Sequence, residues 1–252
     1  MGTLVTIQVL PSGAHEAEVH RAIGRAFEWF HEIEERCTRF DDRSELRRLT
    51  AQPGVPVPVS PILFEVLRFA LLVAEESDGA FDPTGNAHYS EIELHPDRRA
   101  ITLRRPLTLD LGAVAKGLAV DTAARELEPF RDFAIDAGGD LYFGGSNPQG
   151  EPWSVGIRHP RRDGELIDSR LVSNQAVCTS GDYERGDHIR DPRSGQAALA
   201  VASATVFAPG AMLADALATA AFVLGPRDGI EFLKRMGVEG LIVTPDLERY
   251  VA

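Results

Sequence analysis

Between residues 133 and 206 the chain passes through strand-like runs at 133–136, 153–158, 171–178 and 200–206, with no helical period between them. A doubly wound parallel sheet alternates strands with helices. Strands that follow one another directly predict an α+β fold with largely antiparallel sheets. Further strands are expected at 3–10, 100–105, 239–244 and 248–251, and helices at 15–36, 61–77, 113–127, 211–224 and 227–236. The first helix carries Val19, Ile23, Phe27, Phe30 and Ile33 at helical spacing, with acidic and arginine residues opposite. The second has Ser60 as N-cap, Pro61 in its first turn and Gly79 just past its end. No linker, low-complexity tract or solenoid repeat divides the chain, so residues 1–252 read as one domain.

The helix at 211–224 raises a chemical question. Its opening, GAMLADALATAA (210–221), is built from Ala, Leu and Met, strong helix formers suited to burial. Asp215 and Thr219 interrupt it, four residues apart and so on one face. Together they can present three oxygens to one point, a hard ligand set that suits Mg²⁺ completed by substrate phosphates. The plainer alternative has Asp215 capping a neighbouring backbone N–H and Thr219 bonding back to a helix carbonyl.

Charge narrows the partners. With 26 basic against 38 acidic residues the chain carries −12, which excludes a general nucleic-acid or anionic-membrane binder. An anionic ligand would need a local offset, and a divalent metal is one candidate. Cys37 and Cys178 lack CxxC spacing and are too few for a disulfide framework. No apolar run approaches the ~18 residues of a membrane span. No basic n-region with an apolar h-region is visible, so a cytoplasmic location is expected, although a trimmed chain would read the same.

Loop-type residues cluster in several places. In DGAFDPTG (78–85), Asp82-Pro83 starts a turn after a helix, which needs no function by itself. In LDLGAVAKGLAVD (109–121), a strand enters a helix at Gly112, with Lys116 near the N-terminus. A cation there is unfavourable against the helix dipole unless an anion is bound. A strand–helix junction with a solvated lysine is the other reading, and neither a Walker A loop nor a GxGxxG fingerprint is present. FAIDAGGDLYFGG (133–145) reads as backbone passing close to a ligand or as a tight hairpin. CTSGDYERGDHIRDPRSG (178–195) is a long polar stretch holding His188, either functional or merely exposed.

Taken in order, these segments resemble the ApbE family of flavin transferases. The resemblance rests on Met1-Gly2-Thr3, RFDDRSELRRL (39–49), DGAFDPTG (78–85), DLGAVAKGLAVD (110–121), IDAGGD (135–140), TSGDYE (179–184), HIRDPRSG (188–195) and ADALATAAFVLG (214–225). It implies a T-fold-type, two-layer architecture with flanking helices. It implies a reaction in which FAD is split, AMP released, and FMN esterified through its phosphate to a Ser or Thr hydroxyl of an acceptor protein. Asp215 and Thr219 match the family's metal-binding positions, with a backbone carbonyl at Ala113 as third ligand for Mg²⁺. Met1, Phe40, Ala80, Phe81, Asp82, Asp110 and Lys116 match flavin- or nucleotide-contacting positions, and Ile189 falls close to another. His188 matches a histidine that acts as base on the acceptor hydroxyl, a role suited to a side chain that titrates near neutrality.

The sequence departs from the family pattern in three respects. Only residues 85–109 separate the DPT and DLG motifs, where relatives commonly have a longer segment. The sequence begins at the MGT motif, without the usual leader. A family aromatic that can hydrogen-bond is replaced by Phe40, which can only stack. The acceptor motif is an Asp-Gly-x-Ser/Thr-Gly-Ala-Ser/Thr type, of which this chain has no clear copy, so self-flavinylation is not expected. Two alternatives share the same residues or fewer: an FAD pyrophosphatase giving FMN and AMP, and a non-catalytic FAD-binding protein.

Overall fold

The strand-rich middle of the chain builds a seven-stranded antiparallel sheet. The computed structural model describes residues 3–10, 13, 15–183 and 189–252. The sheet is formed by β1 (Val5–Val9), β5 (Phe133–Ala137), β6 (Asp140–Gly144), β9 (Gln175–Gly181), β10 (Ser203–Ala208), β11 (Glu239–Val243) and β12 (Arg249–Val251), adjacent in that order. Every neighbouring pair is antiparallel. A small sheet, β2 (Val57–Pro58), β4 (Ala100–Leu103) and β3 (Ile92–His95), and a ribbon, β7 (Trp153–Arg158) with β8 (Leu166–Val172), are antiparallel too.

Strand alternation divides the sheet into two faces. Ile135, Ala176, Cys178, Ala204, Val206 and Ile242 pack with the helices in the main core. Val177, Phe207, Leu241 and Val243 point the other way and pack with Trp153, Val155 and Ile157 of the ribbon. The helical layer comprises α1 (Glu16–Cys37), α2 (Glu45–Thr50), α3 (Pro61–Glu76), α4 (Gly112–Leu127), α5 (Ala211–Leu224) and α6 (Pro226–Arg235). The α+β expectation, with largely antiparallel sheets and flanking helices, is therefore met.

Local chemistry explains the helix limits. Ser60 Oγ accepts from Leu63 N at 3.2 Å and Pro61 occupies the first turn of α3. At its end Asp78 (φ 51°) and Gly79 (φ 73°) turn left-handed, and Gly79 N bonds back to Ala74 O at 2.8 Å. In α1 the innermost positions are Ala22, Ala26, Phe30 and Ile33, while Val19 and Ile23 sit at the flank of the core. Ala22 and Ala26 keep the inner face of α1 small where it packs along α4.

One expected strand is wrong. The run 171–178 is not continuous: Asn174 turns left-handed (φ 50°) and divides β8 from β9. The turn carries the chain from the ribbon layer into the main sheet, so one hydrophobic run serves two layers. Asn174 Oδ1 also receives Gly145 N at 2.9 Å, tying that turn to the end of β6.

Candidate active site

The central helix pair is set by a glycine. A Cβ on Gly117 would lie 2.5 Å from Met212 Cα and 2.6 Å from the Ala211 carbonyl carbon, so α4 and α5 cross in backbone contact there. The conformational need at Gly117 is thus close helix packing rather than approach by a ligand. From that crossing, Asp121 toward the α4 C-terminus reaches the N-terminus of α5, and Lys116 on the other side reaches Asp215 further along α5. The helices run antiparallel past each other. Ala113, one turn before Gly117, and Asp215, one turn after Ala211, lie on the same side of the crossing.

Lys116 is the hub of this side. Its ammonium touches the Asp140 carboxylate and lies 3.3 Å from Asp215 Oδ2. Both acids are buried, Asp140 at 2% and Asp215 at 7% exposure. Burial pushes the Asp215 carboxyl upward, and the Lys116 charge and hydrogen bond pull against it. The sequence leaves open a bound anion or a solvated lysine; the negative charges found beside Lys116 are the protein's own carboxylates. Lys116 is the fifth residue of α4, just past the first turn.

Thr219 lies on the same face of α5 as Asp215. Its hydroxyl donates to Asp215 O at 3.1 Å and shares a hydrogen bond with Ser180 Oγ at 3.2 Å. The back-bond to the helix carbonyl matches the plainer reading of Thr219. The Asp215 side chain does not follow that reading, since its hydrogen bond goes to an ammonium. A hydroxyl that donates once keeps lone pairs for a further partner.

A second group gathers at the start of α4. Asp110 Oδ1 accepts from Gly112 N at 3.0 Å, and its other oxygen pairs with Arg39 Nε at 3.1 Å. Asp110 N donates to Pro83 O at 2.8 Å, which brings DGAFDPTG against DLGAVAKG. Arg39 stacks over Phe40, 4.5 Å from guanidinium carbon to ring centroid, and Phe40 is 83% exposed. Ala80 and Phe81 are buried beneath the turn. The Asp82 carboxylate is spent within it, accepting from Thr84 N and Oγ1 at 2.6 Å each and from Tyr89 N at 3.2 Å.

The segment from Ile189 joins the same region. Ile189 is half-buried against the main core, its carbonyl accepting from Ala198 N at 3.1 Å. Arg193, held bidentately by Asp191 at 2.9 Å, lies so that a Cβ on Gly79 would meet its Cγ at 3.6 Å. Met1 and His188, both expected in the site, fall outside the described residues.

Three residues escaped the sequence reading. Asp140 follows the Gly138-Gly139 turn, both glycines left-handed (φ 64° and 93°), where it pairs with Ala137 across the hairpin. The IDAGGD motif marked that hairpin but not the burial of its last carboxylate against α4. Ser180, on β9, and Asp121, at the α4–α5 junction, carried no local signal of a role.

A cleft of about 320 Å³ lies elsewhere, on the ribbon side of the sheet, lined among others by Thr6, Gln8, Asp136, Phe143 and Ser154. None of the predicted site residues borders it, and it holds no comparable cluster of charged groups. Among the described residues no group of three or more His, Cys, Asp or Glu side chains is placed to hold a metal. No helix among them is long and apolar enough to cross a membrane.

Comparison with known proteins identifies the family and the fold. The family model described as "ApbE family" matches residues 1–88 and 85–242. A protein of Treponema pallidum named FAD:protein FMN transferase is 33% identical over 98% of this chain and 83% of its own. One of the same name from Haemophilus influenzae is 26% identical over 93% of this chain and 82% of its own. Among solved structures, an ApbE protein from Thermotoga maritima superposes with a TM-score of 0.87 at 30% identity, covering 98% of this chain and 93% of that one.

Proposed function

The chain belongs to the ApbE family, and from that premise we propose that it transfers FMN from FAD to a Ser or Thr hydroxyl of an acceptor protein, with AMP leaving and Mg²⁺ as the metal. The observation that carries this reading is a half-buried cation held between two buried carboxylates, Lys116 between Asp140 and Asp215, near the start of a helix that also gathers Arg39, Phe40 and Asp110. A place that already stabilises positive charge, with a hydroxyl on the same helix face, is chemically suited to a hard divalent cation. Asp215, Thr219 and the Ala113 carbonyl would hold it. The metal would supply charge neutralisation on the bridging phosphates.

The chain's own groups account for the rest. The acceptor hydroxyl oxygen forms a bond to the FMN phosphorus while the bond from that phosphorus to the AMP phosphate oxygen breaks. The acceptor proton passes to His188, matched by sequence to the general base. Lys116, partly exposed beside the acidic pair, would offer its charge to phosphate oxygens once a divalent ion takes its place, and the exposed Phe40 ring offers a face on which a flavin can stack. A divalent ion held by the acidic pair would supply the local offset that lets a protein of net charge −12 accept a dinucleotide anion. Residues 1–252 act as one unit in this reading.

Intact-mass spectrometry tests it. An acceptor domain bearing the Asp-Gly-x-Ser/Thr-Gly-Ala-Ser/Thr motif is incubated with the protein, FAD and Mg²⁺, with and without chelator. The expected result is a chelator-sensitive gain of one FMN per acceptor, lost with Asp215→Ala while FAD still binds. FMN and AMP accumulating free in solution would instead make water the acceptor. Bound FAD with no product would leave a flavin carrier.

A further inference from the structure

We propose that Lys116 is the built-in occupant of the cation site, held there by Asp140 as well as Asp215, and that it yields its place when a divalent ion binds. The inference rests on the reading of this site as a metal site and adds two things to it. Asp140, a carboxylate on the β5–β6 hairpin, becomes a member of the site, and Lys116 acquires a position that depends on the metal.

Two carboxylates buried to 2% and 7% exposure cannot stay ionised beside each other without a cation. In this structure the cation is the Lys116 ammonium, in contact with both. Their elements differ: Asp140 comes from a hairpin whose turn is fixed by two left-handed glycines, and Asp215 from a helix pinned to α4 at Gly117. The two acids are thus held rigidly, whereas lysine sits on a flexible four-carbon stem. The mobile member of the triad is Lys116.

The charge balance favours exchange. Two carboxylates and one ammonium sum to −1, so the triad retains an attraction for further positive charge. A divalent ion in place of the ammonium neutralises both acids and frees Lys116. Its side chain is 24% exposed, so the route outward is open toward solvent. One residue thereby stabilises the metal-free protein and afterwards becomes available to the nucleotide.

The test uses the full chain without nucleotide, Mg²⁺ alone as probe, and two readouts, calorimetric titration and thermal unfolding with and without the ion. Lys116→Met removes the internal cation. It is expected to lower the unfolding temperature in chelator, to bind Mg²⁺ about tenfold or more tightly than the wild type, and to gain more from the ion in thermal stability. If Lys116→Met folds only when Mg²⁺ is present, that is the same result in its extreme form. Asp140→Asn leaves Lys116 to Asp215 and is expected to weaken Mg²⁺ binding about tenfold.

Equal or weaker Mg²⁺ binding by Lys116→Met, with wild-type binding intact, would overturn the proposal and leave the metal site standing. Unchanged Mg²⁺ affinity in Asp140→Asn would remove Asp140 from the site and overturn the proposal in that part. No Mg²⁺ binding by any form, together with transfer activity indifferent to chelator, would overturn the metal reading itself.

Discussion

Asp121 of α4 caps Met212 of α5: the carboxylate accepts from Met212 N at 3.0 Å, and from the neighbouring Ala211 N at 2.6 Å. The N-terminus of α5 has no side-chain cap of its own, because its cap position is Gly210. A Cβ on Gly210 would stand 3.0 Å from the Asp121 carboxylate, so the glycine leaves room for the borrowed cap. This contact and the Gly117 crossing together fix where Asp215 stands relative to Lys116.

Removing that cap should cost stability. Asp121→Ala leaves two helix N–H groups unpartnered and is expected to destabilise the protein by about 1–2 kcal/mol. Asp121→Asn keeps one acceptor oxygen and should lose less. Urea unfolding followed by circular dichroism gives both values, and a wild-type midpoint for Asp121→Ala would show that α5 is held by packing alone.

The same residue predicts a pH dependence. Burial raises the Asp121 carboxyl above its ordinary range, outweighing the Met212 and Ala211 hydrogen bonds that lower it. A raised folded pKa means that the stability linked to this group is full below the unfolded value. It is lost as pH rises through the folded one. Between those two values wild-type stability should therefore fall relative to Asp121→Asn as pH rises. Denaturant midpoints of the two proteins measured across pH 3 to 7 on the ordinary carboxylate scale would be parallel if the carboxylate did not titrate in this way.

Gly117→Ala sets two effects against each other. Alanine favours a helix interior over glycine by about 1 kcal/mol. The added methyl, however, would meet Met212 Cα at 2.5 Å, a backbone atom that can move only if α5 moves. Overpacking of this kind costs about 1–3 kcal/mol, so net destabilisation is expected. Because α5 carries Asp215 and Thr219, transferase activity should fall further than the stability loss explains. A thermal melt and an acceptor mass shift on the same preparation separate these effects, and a stabilised, fully active variant would show that the helices are not in backbone contact.

Residues with local signals are legible from the amino-acid sequence. Ser60 and Pro61 announce the start of α3, and Gly138-Gly139 announce a two-residue turn that the fold uses as such. The strand run at 171–178 misleads because Leu171-Val172 and Ala176-Val177 look continuous. Only Ser173-Asn174 marks a turn, and its purpose is to change layers. Asp140 is invisible for a related reason. A carboxylate after a glycine turn reads as solvated unless the packing of β6 against α4 is known, and that packing is set by residues far away in sequence. Lys116 is legible as an anomaly near a helix N-terminus, but its partners are not.

Phe40 offers a prediction in which folding and binding separate. Its ring is 83% exposed and is covered on one side by Arg39, so it contributes little to the core. Phe40→Ala should change folding stability by no more than ~0.5 kcal/mol, as surface substitutions do. If the ring stacks on the flavin, FAD binding should weaken by about 0.5–1.5 kcal/mol, or roughly two- to tenfold. Quenching of flavin fluorescence on titration measures the binding, and a parallel denaturation curve measures the folding. Unchanged FAD affinity would place the flavin elsewhere and leave Phe40 free for contact with the acceptor protein. A loss of stability matching the loss of binding would mean instead that the ring supports the Arg39–Asp110 pair beside it.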